Sequence, residues 1–240
     1  MRIAMWSGPR NLSTAMMYSF AARGDCAVVD EPLYAAYLAQ TGLDHPMRDA
    51  IMAAQPQDPA RVVERLLGPV PAQKPHFYQK HMAQHMIPGV PRGWVNELTN
   101  VFLIRHPARV AASFLAKYDN PTLADIGFVH QVELYEQLVS AGQSPIVIDS
   151  ADIRRDPEAM LQRLCAAIDL DWTPAMLTWP RGGHADDGVW AARWYAAVHD
   201  STGFAPAEGP PPALDGPRAE LAEAAMPAYE RLQDVKLRLA

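Results

Sequence analysis

The chain has 240 residues, enough to bury one sizeable core and short for two full domains. Hydrophobic residues make up 49% and charged residues 20% of the sequence, a globular balance that excludes a disordered protein or a coiled coil. The formal net charge of −6 disfavours a polyanion such as duplex DNA as a partner, so we expect no nucleic acid.

Targeting signals are not expected in this sequence. The first residues include Arg2 and a Gly-Pro-Arg turn, without the apolar region and cleavage site of a signal peptide. No apolar stretch approaches the length of a membrane span, so we expect no membrane partner. The two cysteines, Cys26 and Cys165, lie far apart within apolar runs and are expected to be reduced and buried. These features together predict a cytoplasmic protein.

Strand and helix patterns alternate along most of the chain. Short buried strands are bounded by turn residues, and helical patterns lie between them. This alternation predicts an α/β fold with a mostly parallel sheet and helices on both faces. The predicted strands are 2–6, 26–30, 77–80, 100–105 and 145–149, and the predicted helices between them are 13–23, 34–41, 59–67, 107–117 and 126–141.

The last third of the chain is predicted to be largely helical. Asp156 followed by Pro157 is an N-cap and first-turn pair that predicts a helix start. Residues 205–217 are rich in Pro and Gly and predict a linker or a loop on the surface. Residues 218–239 read as an amphipathic helix that is broken or kinked near Pro227. We therefore expect one domain over 1–204, with 205–240 packed on it as an appendix.

The turn after the first predicted strand reads "SGPRNLST" and is a candidate phosphate site. In parallel sheets the turn beyond the first strand is a favoured place for phosphate, where exposed N–H groups of a helix start can bind it. Gly8 permits close approach of the backbone, and the alternative interpretation is a capped surface turn. A Walker A loop would add Gly-Lys, which this turn lacks. The side chains that would contact phosphate here are Arg10, Asn11, Ser13 and Thr14.

A second candidate motif lies in "NVFLIRHPARVAASF". Arg105 ends a buried strand, and the helix that follows carries Arg109 and Ser113 one turn apart on the same face. Two guanidinium groups and a hydroxyl at such a position suit a phosphate dianion. Solvated arginines on a capped surface helix are the alternative interpretation.

Together the two motifs resemble the cytosolic sulfotransferases that depend on 3′-phosphoadenosine 5′-phosphosulfate (PAPS). The turn of residues 9–14 lies where that family has PKSGTTW, with Arg10 in the place of its lysine and Leu12 in the place of its Gly. Arg105, Pro107 and Ser113 match the family's RxPxDxxxS motif at the same spacing. The resemblance implies the fold of P-loop NTPases, a mostly parallel sheet flanked by helices, here with a helical C-terminal extension.

Three further stretches extend the resemblance to about residue 180. Lys80-His81 follows a middle strand where the family carries a catalytic histidine, and "DEPLY" contains the Glu-Pro of many bacterial members. Residues 145–171 resemble the family's strand, acidic turn and Asp-Pro helix. Beyond them the similarity to the family's RKGxxGDW segment is faint, and the matching positions would be Arg181, Gly182 and Trp190.

The resemblance implies transfer of a sulfuryl group from PAPS to a hydroxyl or amine of a small-molecule acceptor. A sulfuryl group carries less charge than a phosphoryl group, so no metal is expected to be required. His81 is the first choice for the general base, Glu31 is the rival, and His85 is a third option. Lys80 and Arg10 would act as electrostatic clamps. The residues expected to bind the donor are Gly8, Pro9, Arg10, Asn11, Leu12, Ser13, Thr14, Arg105, Ser113, Arg181, Gly182 and Trp190.

Two other functions stay open at this level. "PIVID" ends in Asp149 like a Walker B strand and would suit a P-loop kinase or nucleotide hydrolase, although the Gly-Lys is missing. A catalytically silent protein that binds nucleotide is the other, because Leu12 replaces a glycine of the family's loop. The acceptor pocket is expected to be built by residues 33–75 and the C-terminal helices. Whether the protein is a monomer or a homodimer is also open.

Overall fold

A parallel sheet of five strands forms the centre of the computed structural model, which describes residues 1–115 and 121–239. The strand order is β2-β3-β1-β4-β5, and each neighbouring pair is parallel. The predicted α/β architecture with a mostly parallel sheet is therefore confirmed. The strands are β1 (Arg2–Ser7), β2 (Cys26–Asp30), β3 (His76–Met82), β4 (Thr99–Ile104) and β5 (Ile146–Asp149).

The sheet is covered by apolar layers on both faces, which explains why its strands read as continuous hydrophobic runs. Side chains of β1 alternate between the two layers, as the two-residue period of a strand requires. Ile3 and Met5 pack into one layer, and Ala4 and Trp6 pack into the other. All four side chains are completely buried.

Helices lie between the strands much as predicted, with small differences at their ends. The predictions for 34–41 and 59–67 match the observed bounds, and the helix that starts at Pro107 ends at Phe114. Residues 116 and 117 of that prediction lie outside the described residues. Several short helices have too few turns to show a periodic pattern in the sequence. The helices are α1 (Ser13–Ala22), α2 (Tyr34–Thr41), α3 (Arg48–Ala54), α4 (Pro59–Leu67), α5 (Pro107–Phe114), α6 (Phe128–Ser140), α7 (Ser150–Arg155), α8 (Pro157–Ala167), α9 (Ala191–Trp194), α10 (Ala196–His199) and α11 (Gly216–Gln233).

The C-terminal helix differs from its prediction at Pro227 and at its end, since it ends at Gln233 and not at residue 239. α11 is a single helix that continues through Pro227, where the sequence predicts a break or kink. It packs against α5 and α6, and Ala225 and Leu232 are fully buried in the apolar layer that also holds Trp6. Burial of this face compensates for the backbone hydrogen bond that a proline inside a helix removes. None of the helices in the described parts of the chain is long and apolar enough to span a bilayer.

The start of α8 confirms the prediction made from Asp156 and Pro157. The Asp156 carboxylate accepts a hydrogen bond from the backbone N–H of Ala159 at 3.0 Å, and Pro157 occupies the first turn. Asp58 and Asp149 cap α4 and α7 in the same way, at 2.9 Å from the N–H groups of Ala60 and Ala151. Local sequence therefore determines these three helix starts.

Because all five strands are parallel, their carboxyl ends meet at one edge of the sheet. The turn after β1, Glu31 after β2 and Arg105 after β4 therefore converge there. This edge is where the candidate functional site lies.

Gly8 begins the β1–α1 turn in close contact with another backbone segment. A Cβ atom at this position would lie 2.4 Å from the carbonyl oxygen of Ile126, a backbone atom and not the end of a flexible side chain. We therefore expect Gly8→Ala to lower the free energy of unfolding by about 1–3 kcal/mol in urea titrations. Gly93→Ala is the matched control, because nothing lies within 4 Å of a Cβ placed there. Equal stability of the two variants would contradict the prediction.

Candidate functional site

A cleft of about 330 Å³ lies at the carboxyl edge of the sheet. Its walls come from the β1–α1 turn, from residues that follow β2, β3 and β4, and from the segment around α9 and α10. The wall combines cationic, acidic and aromatic side chains within one concave surface, as a site for a small ligand requires. The lining residues include Pro9, Arg10, Asn11, Leu12, Ser13, Thr14, Glu31, Tyr34, Tyr37, Lys80, His85, Arg105, Arg154, Trp190, Trp194 and Tyr195.

The β1–α1 turn, residues 8–12, has an unusual backbone. Arg10 and Leu12 have φ angles of 59° and 50°, in the left-handed region that costs a non-glycine residue about 1–2 kcal/mol. Leu12 immediately precedes α1, and the first two residues of α1, Ser13 and Thr14, line the cleft. The buried Asn11 amide donates to the Leu103 carbonyl of β4 at 2.5 Å and thereby holds the turn against the sheet. The fold thus supports a strained turn with its helix start facing the cleft.

Two direct hydrogen bonds join the two motifs that the sequence singles out. Arg10 Nε donates to Ser113 Oγ at 2.8 Å, and Arg105 Nη1 donates to the Arg10 carbonyl at 2.6 Å. Burial lowers the pKa of Arg10, and the neighbouring charge of Arg105 lowers it further. Arg10 and Arg105 both line the cleft, whereas Ser113 orients Arg10 from behind it.

Three arginines, from the β4–α5 connection, α5 and α7, surround one carboxylate. Arg105, Arg109 and Arg154, here called the arginine cluster, all pair with Glu208 from the Pro-rich segment. The sequence motif includes Arg105 and Arg109 but not Arg154 or Glu208. Arg154 lies in the last turn of α7, the short helix after β5. Its local signal is the "IRRDP" stretch, which does not distinguish it from Arg155.

A buried group of charged side chains, here called the Lys80 cluster, lies at the wall of the cleft. Lys80 Nζ donates to Asp30 Oδ1 at 2.7 Å, to Glu31 Oε1 at 2.7 Å and to Tyr195 Oη at 2.6 Å. The side chains of Lys80 and Asp30 are each 1% exposed, and that of Glu31 is 10% exposed. The sequence does not predict Asp30 or Tyr195 as site residues. Tyr195 lies more than a hundred positions from Lys80, so no local pattern connects these two.

Opposing effects set the proton affinities in this cluster. Burial by itself lowers the pKa of Lys80, but the adjacent Asp30 and Glu31 carboxylates outweigh it and raise that pKa. Burial raises the pKa of Glu31, and the Lys80 charge opposes this rise without cancelling it. Burial, followed by the Asp30 and Glu31 charges, raises the pKa of Tyr195 well above its usual range. The lysine is therefore held charged beside a carboxylate whose proton affinity is increased.

His81 does not lie in the cleft, contrary to its predicted placement beside Lys80. Successive side chains of a strand point to opposite faces, so Lys80 and His81 diverge. The His81 ring stacks on Trp6 with a centroid distance of 4.4 Å, and its Nε2 lies 3.2 Å from Gln79 Oε1. Burial lowers the pKa of His81 to about 3. This residue is a neutral core histidine in the structure.

His85 lies in the wall of the cleft. Its ring stacks on Tyr34 and Tyr37 at centroid distances of 4.8 Å and 4.7 Å, and the residue is 3% exposed. Its Nδ1 has no hydrogen-bond partner among residues 1–115 and 121–239. Burial, followed by the charge of His45, lowers the pKa of His85 well below its usual range.

Three other residues predicted to bind PAPS lie in different places, and one of them is in the cleft wall. Trp190 is buried in the cleft wall, where its Nε1 donates to Tyr195 Oη at 2.9 Å. Arg181 instead pairs with Asp200 at 2.9 Å, and its side chain is 69% exposed. Gly182 donates its N–H to the His199 carbonyl at 2.8 Å. Neither Arg181 nor Gly182 belongs to the cleft wall, so the structure brings only Trp190 of this predicted segment to the site.

Comparisons with known proteins agree with this architecture. A family model described as "Sulfotransferase domain" matches residues 1–236. Branched-chain-amino-acid aminotransferase-like proteins 2 and 1 of Arabidopsis thaliana are 36% and 37% identical over 231 residues. That region is 96% of this chain but 41% of each relative, so the chain spans about two fifths of their length.

One solved structure shares the fold. The sulfotransferase domain of the olefin synthase from Synechococcus PCC 7002 aligns with a TM-score of 0.50 and 19% identity. The alignment covers 93% of this chain and 94% of that domain.

Proposed function

Because this chain belongs to the sulfotransferase domain family, we propose that it transfers a sulfuryl group from PAPS to a hydroxyl or amine of a small-molecule acceptor. The observation that carries the proposal is the joining of the β1–α1 turn to the second motif. Arg105 binds the carbonyl of Arg10, and Arg10 binds Ser113, so a helix start and two guanidinium groups face one cleft. Such a surface suits a nucleotide that carries phosphate at two positions.

The donor would be held by the residues of this surface. Ser13, Thr14 and the start of α1 would bind the 5′-phosphosulfate, aided by the helix dipole and the Arg10 charge. Arg105, supported by Ser113, would face the 3′-phosphate, and Trp190 offers an aromatic edge in the cleft wall. During transfer the acceptor oxygen or nitrogen bonds to sulfur while the bond from sulfur to the 5′-phosphate oxygen breaks. Arg10 would offset the charge that develops on the leaving phosphate of adenosine 3′,5′-bisphosphate (PAP).

Glu31 is the general base that the geometry supports best. It lines the cleft, and burial raises its pKa above the ordinary value, which favours proton transfer from an acceptor. Lys80 holds the Glu31 carboxylate at 2.7 Å and would attract a negatively charged sulfuryl oxygen through the same cluster. His81, the first choice from sequence, is stacked on Trp6 outside the cleft wall. His85 is the remaining candidate, because it is neutral and faces the cleft.

The kinase interpretation is not supported by the position of Asp149. Its Oδ1 accepts the N–H of Ala151 at 2.9 Å and caps α7. Its Oδ2 accepts from Tyr229 at 2.9 Å and lies 3.4 Å from Lys236 Nζ. A carboxylate engaged in this way stabilises the packing of α7 and α11, so we assign Asp149 no part in nucleotide chemistry.

Thermal unfolding with three nucleotides tests the proposal. PAP is expected to raise the melting temperature more than AMP or ATP with magnesium, since about 100 Kd of ligand adds about 2.7 kcal/mol of stability. Arg105→Ala is expected to abolish most of the PAP response. Arg155→Ala is the matched control, because Arg155 is 61% exposed and its ion pair with Asp152 is a local one within α7.

Two results would contradict parts of this proposal. A response to ATP with magnesium alone would favour the kinase and exclude a PAPS site. PAP binding without any turnover of PAPS across an acceptor screen would favour the silent nucleotide-binding protein.

A further inference from the structure

A Pro-rich strap, residues 205–215, is attached to the domain through the arginine cluster. Glu208 Oε1 lies 2.5 Å from Arg105 Nη2 and 2.5 Å from Arg154 Nη1, and Oε2 lies 3.3 Å from Arg109 Nε. The side chain of Glu208 is 10% exposed although most of the strap around it is exposed. One carboxylate therefore makes the most buried polar contact of the strap.

Two of these arginines also hold the strap backbone. Arg154 Nε donates to the Pro206 carbonyl at 2.8 Å, and Arg109 Nη2 donates to the Gly209 carbonyl. The strap has no regular secondary structure, and its Ala205 lines the cleft. If the arginines bound another anion instead, the strap would lose three polar contacts together, those of the Glu208 carboxylate and of the Pro206 and Gly209 carbonyls.

The charge of the cluster is incompletely compensated by Glu208. Three guanidinium groups face a single carboxylate, which leaves two positive charges in excess. Glu208 Oε2 has no hydrogen-bond partner in the described part of the chain, although Arg109 is near. Burial lowers the pKa of Arg154, Glu208 opposes this change, and Arg105 and Arg109 add to it. A phosphate monoester dianion has the additional charge and oxygen atoms that this arrangement lacks.

We propose that Glu208 is an internal competitor for the phosphate site predicted at Arg105 and Arg109, and that Arg154 is a further cation of that site. The strap then carries a carboxylate that occupies the phosphate site of the empty protein and leaves when the ligand binds. The identity of that ligand as the 3′-phosphate of the donor rests on the proposed function. Arg154 supplies a third cation beside Arg105 and Arg109. Arg181, which the sequence predicts to bind the donor, lies at the surface instead.

Calorimetric titration with PAP and with AMP tests this site, because AMP lacks the 3′-phosphate. Glu208→Gln removes the competing charge while keeping the side-chain shape, and is expected to raise PAP affinity about tenfold. Arg154→Gln is expected to lower PAP affinity about tenfold or more. AMP affinity is expected to stay within twofold for both variants. Glu223→Gln and Arg155→Gln are the matched controls, because Glu223 is exposed on α11 and Arg155 is 61% exposed.

Proteolysis of the unchanged protein provides a second readout. A glutamate-specific protease is expected to cut after Glu208 faster when PAP is present, because the displaced carboxylate becomes accessible. Slower or unchanged cleavage with PAP bound would overturn the displacement. A Glu208→Gln gain that is equal for AMP and PAP would overturn the assignment to the 3′-phosphate.

The outcomes separate this inference from the proposed function. If the unchanged protein binds PAP but both Glu208→Gln and Arg154→Gln leave its affinity unaltered, the inference is wrong and the sulfotransferase proposal stands. If the unchanged protein and Glu208→Gln both fail to bind PAP, both proposals are wrong.

Discussion

Replacing Lys80 by Met is expected to destabilise the protein by about 3–5 kcal/mol, because two buried carboxylates then lose their shared cation. Asp30 and Glu31 lie 2.7 Å from Lys80 Nζ, and Tyr195 lies 2.6 Å from it. Methionine preserves the volume of the side chain, so the loss reports the missing charge and not a cavity. Urea unfolding of the variant measures the effect.

A double-variant comparison distinguishes this electrostatic cause from general disruption of the core. Glu31→Gln added to Lys80→Met removes one of the two uncompensated charges, so the double variant is expected to recover part of the lost stability. Lys74→Met is the matched control, because Lys74 is only partly buried and donates to a single carbonyl. If Lys80→Met costs no more than Lys74→Met, the cluster does not stabilise the fold.

The pH dependence of stability provides a related check on Glu31. Its folded pKa is raised above the ordinary value of 4.5, so the folded state binds more protons than the unfolded state in this range. The stability that depends on protonated Glu31 is fully present when the pH is below the ordinary pKa of glutamate. It is lost as the pH rises through the folded pKa. Lys80 lowers the pKa of Glu31, so removing Lys80 moves this loss to higher pH. Glu31→Gln is expected to eliminate the effect.

Glu31→Gln is expected to reduce turnover of PAPS by about 10²- to 10⁴-fold, the range for a positioned general base. The amide keeps the size of the carboxylate and still accepts a hydrogen bond from Lys80, but it cannot take a proton. PAP affinity is therefore expected to change by less than about twofold, so that the loss appears in kcat. Single-turnover measurements with PAPS and an acceptor from a screen give the rate of the chemical step.

Comparison with the histidines decides the assignment of the base. Glu97→Gln, an exposed glutamate, is the matched control and is expected to keep full activity. Turnover that persists in Glu31→Gln but disappears in His85→Gln would transfer the role to His85. Loss with His81→Asn in a stably folded variant would instead restore the first choice made from sequence. In the proposed mechanism, activity falls on acidification at a higher pH than an ordinary glutamate base would give, because burial raises the pKa of Glu31.

Local patterns predicted the fold well because short-range chemistry produced them. The strand at 26–30 and the helices at 34–41 and 59–67 were predicted with the observed bounds, and Asp156 caps α8 as expected. Hydrophobic runs, caps and turn residues act within a few positions of one another. The continuation of α11 through Pro227 was missed, because packing on α5 and α6 outweighs the local cost of the proline.

Part of the cleft wall consists of residues that sequence motifs single out. The turn with Arg10 and the motif with Arg105 and Ser113 have local signatures, and the fold brings them into direct contact. The sequence does not show which of Lys80 and His81 faces the cleft, since either face of a buried strand accepts a polar side chain that has a hydrogen-bond partner. Their positions follow from the direction of each side chain on β3, which places Lys80 beside Asp30 and His81 under Trp6.

Sequence alone is enough to predict the parallel α/β class, the turn after β1 and the arginine motif after β4, because each depends on neighbouring residues. Which charges meet depends on how distant parts of the chain pack together. Tyr195 reaches Lys80, Arg154 joins Arg105 and Arg109, and Glu208 occupies their centre. These contacts join residues far apart in the chain, and their positions depend on how the strands and helices pack. Electrostatic partners of that kind leave no periodic or local signal in a single sequence.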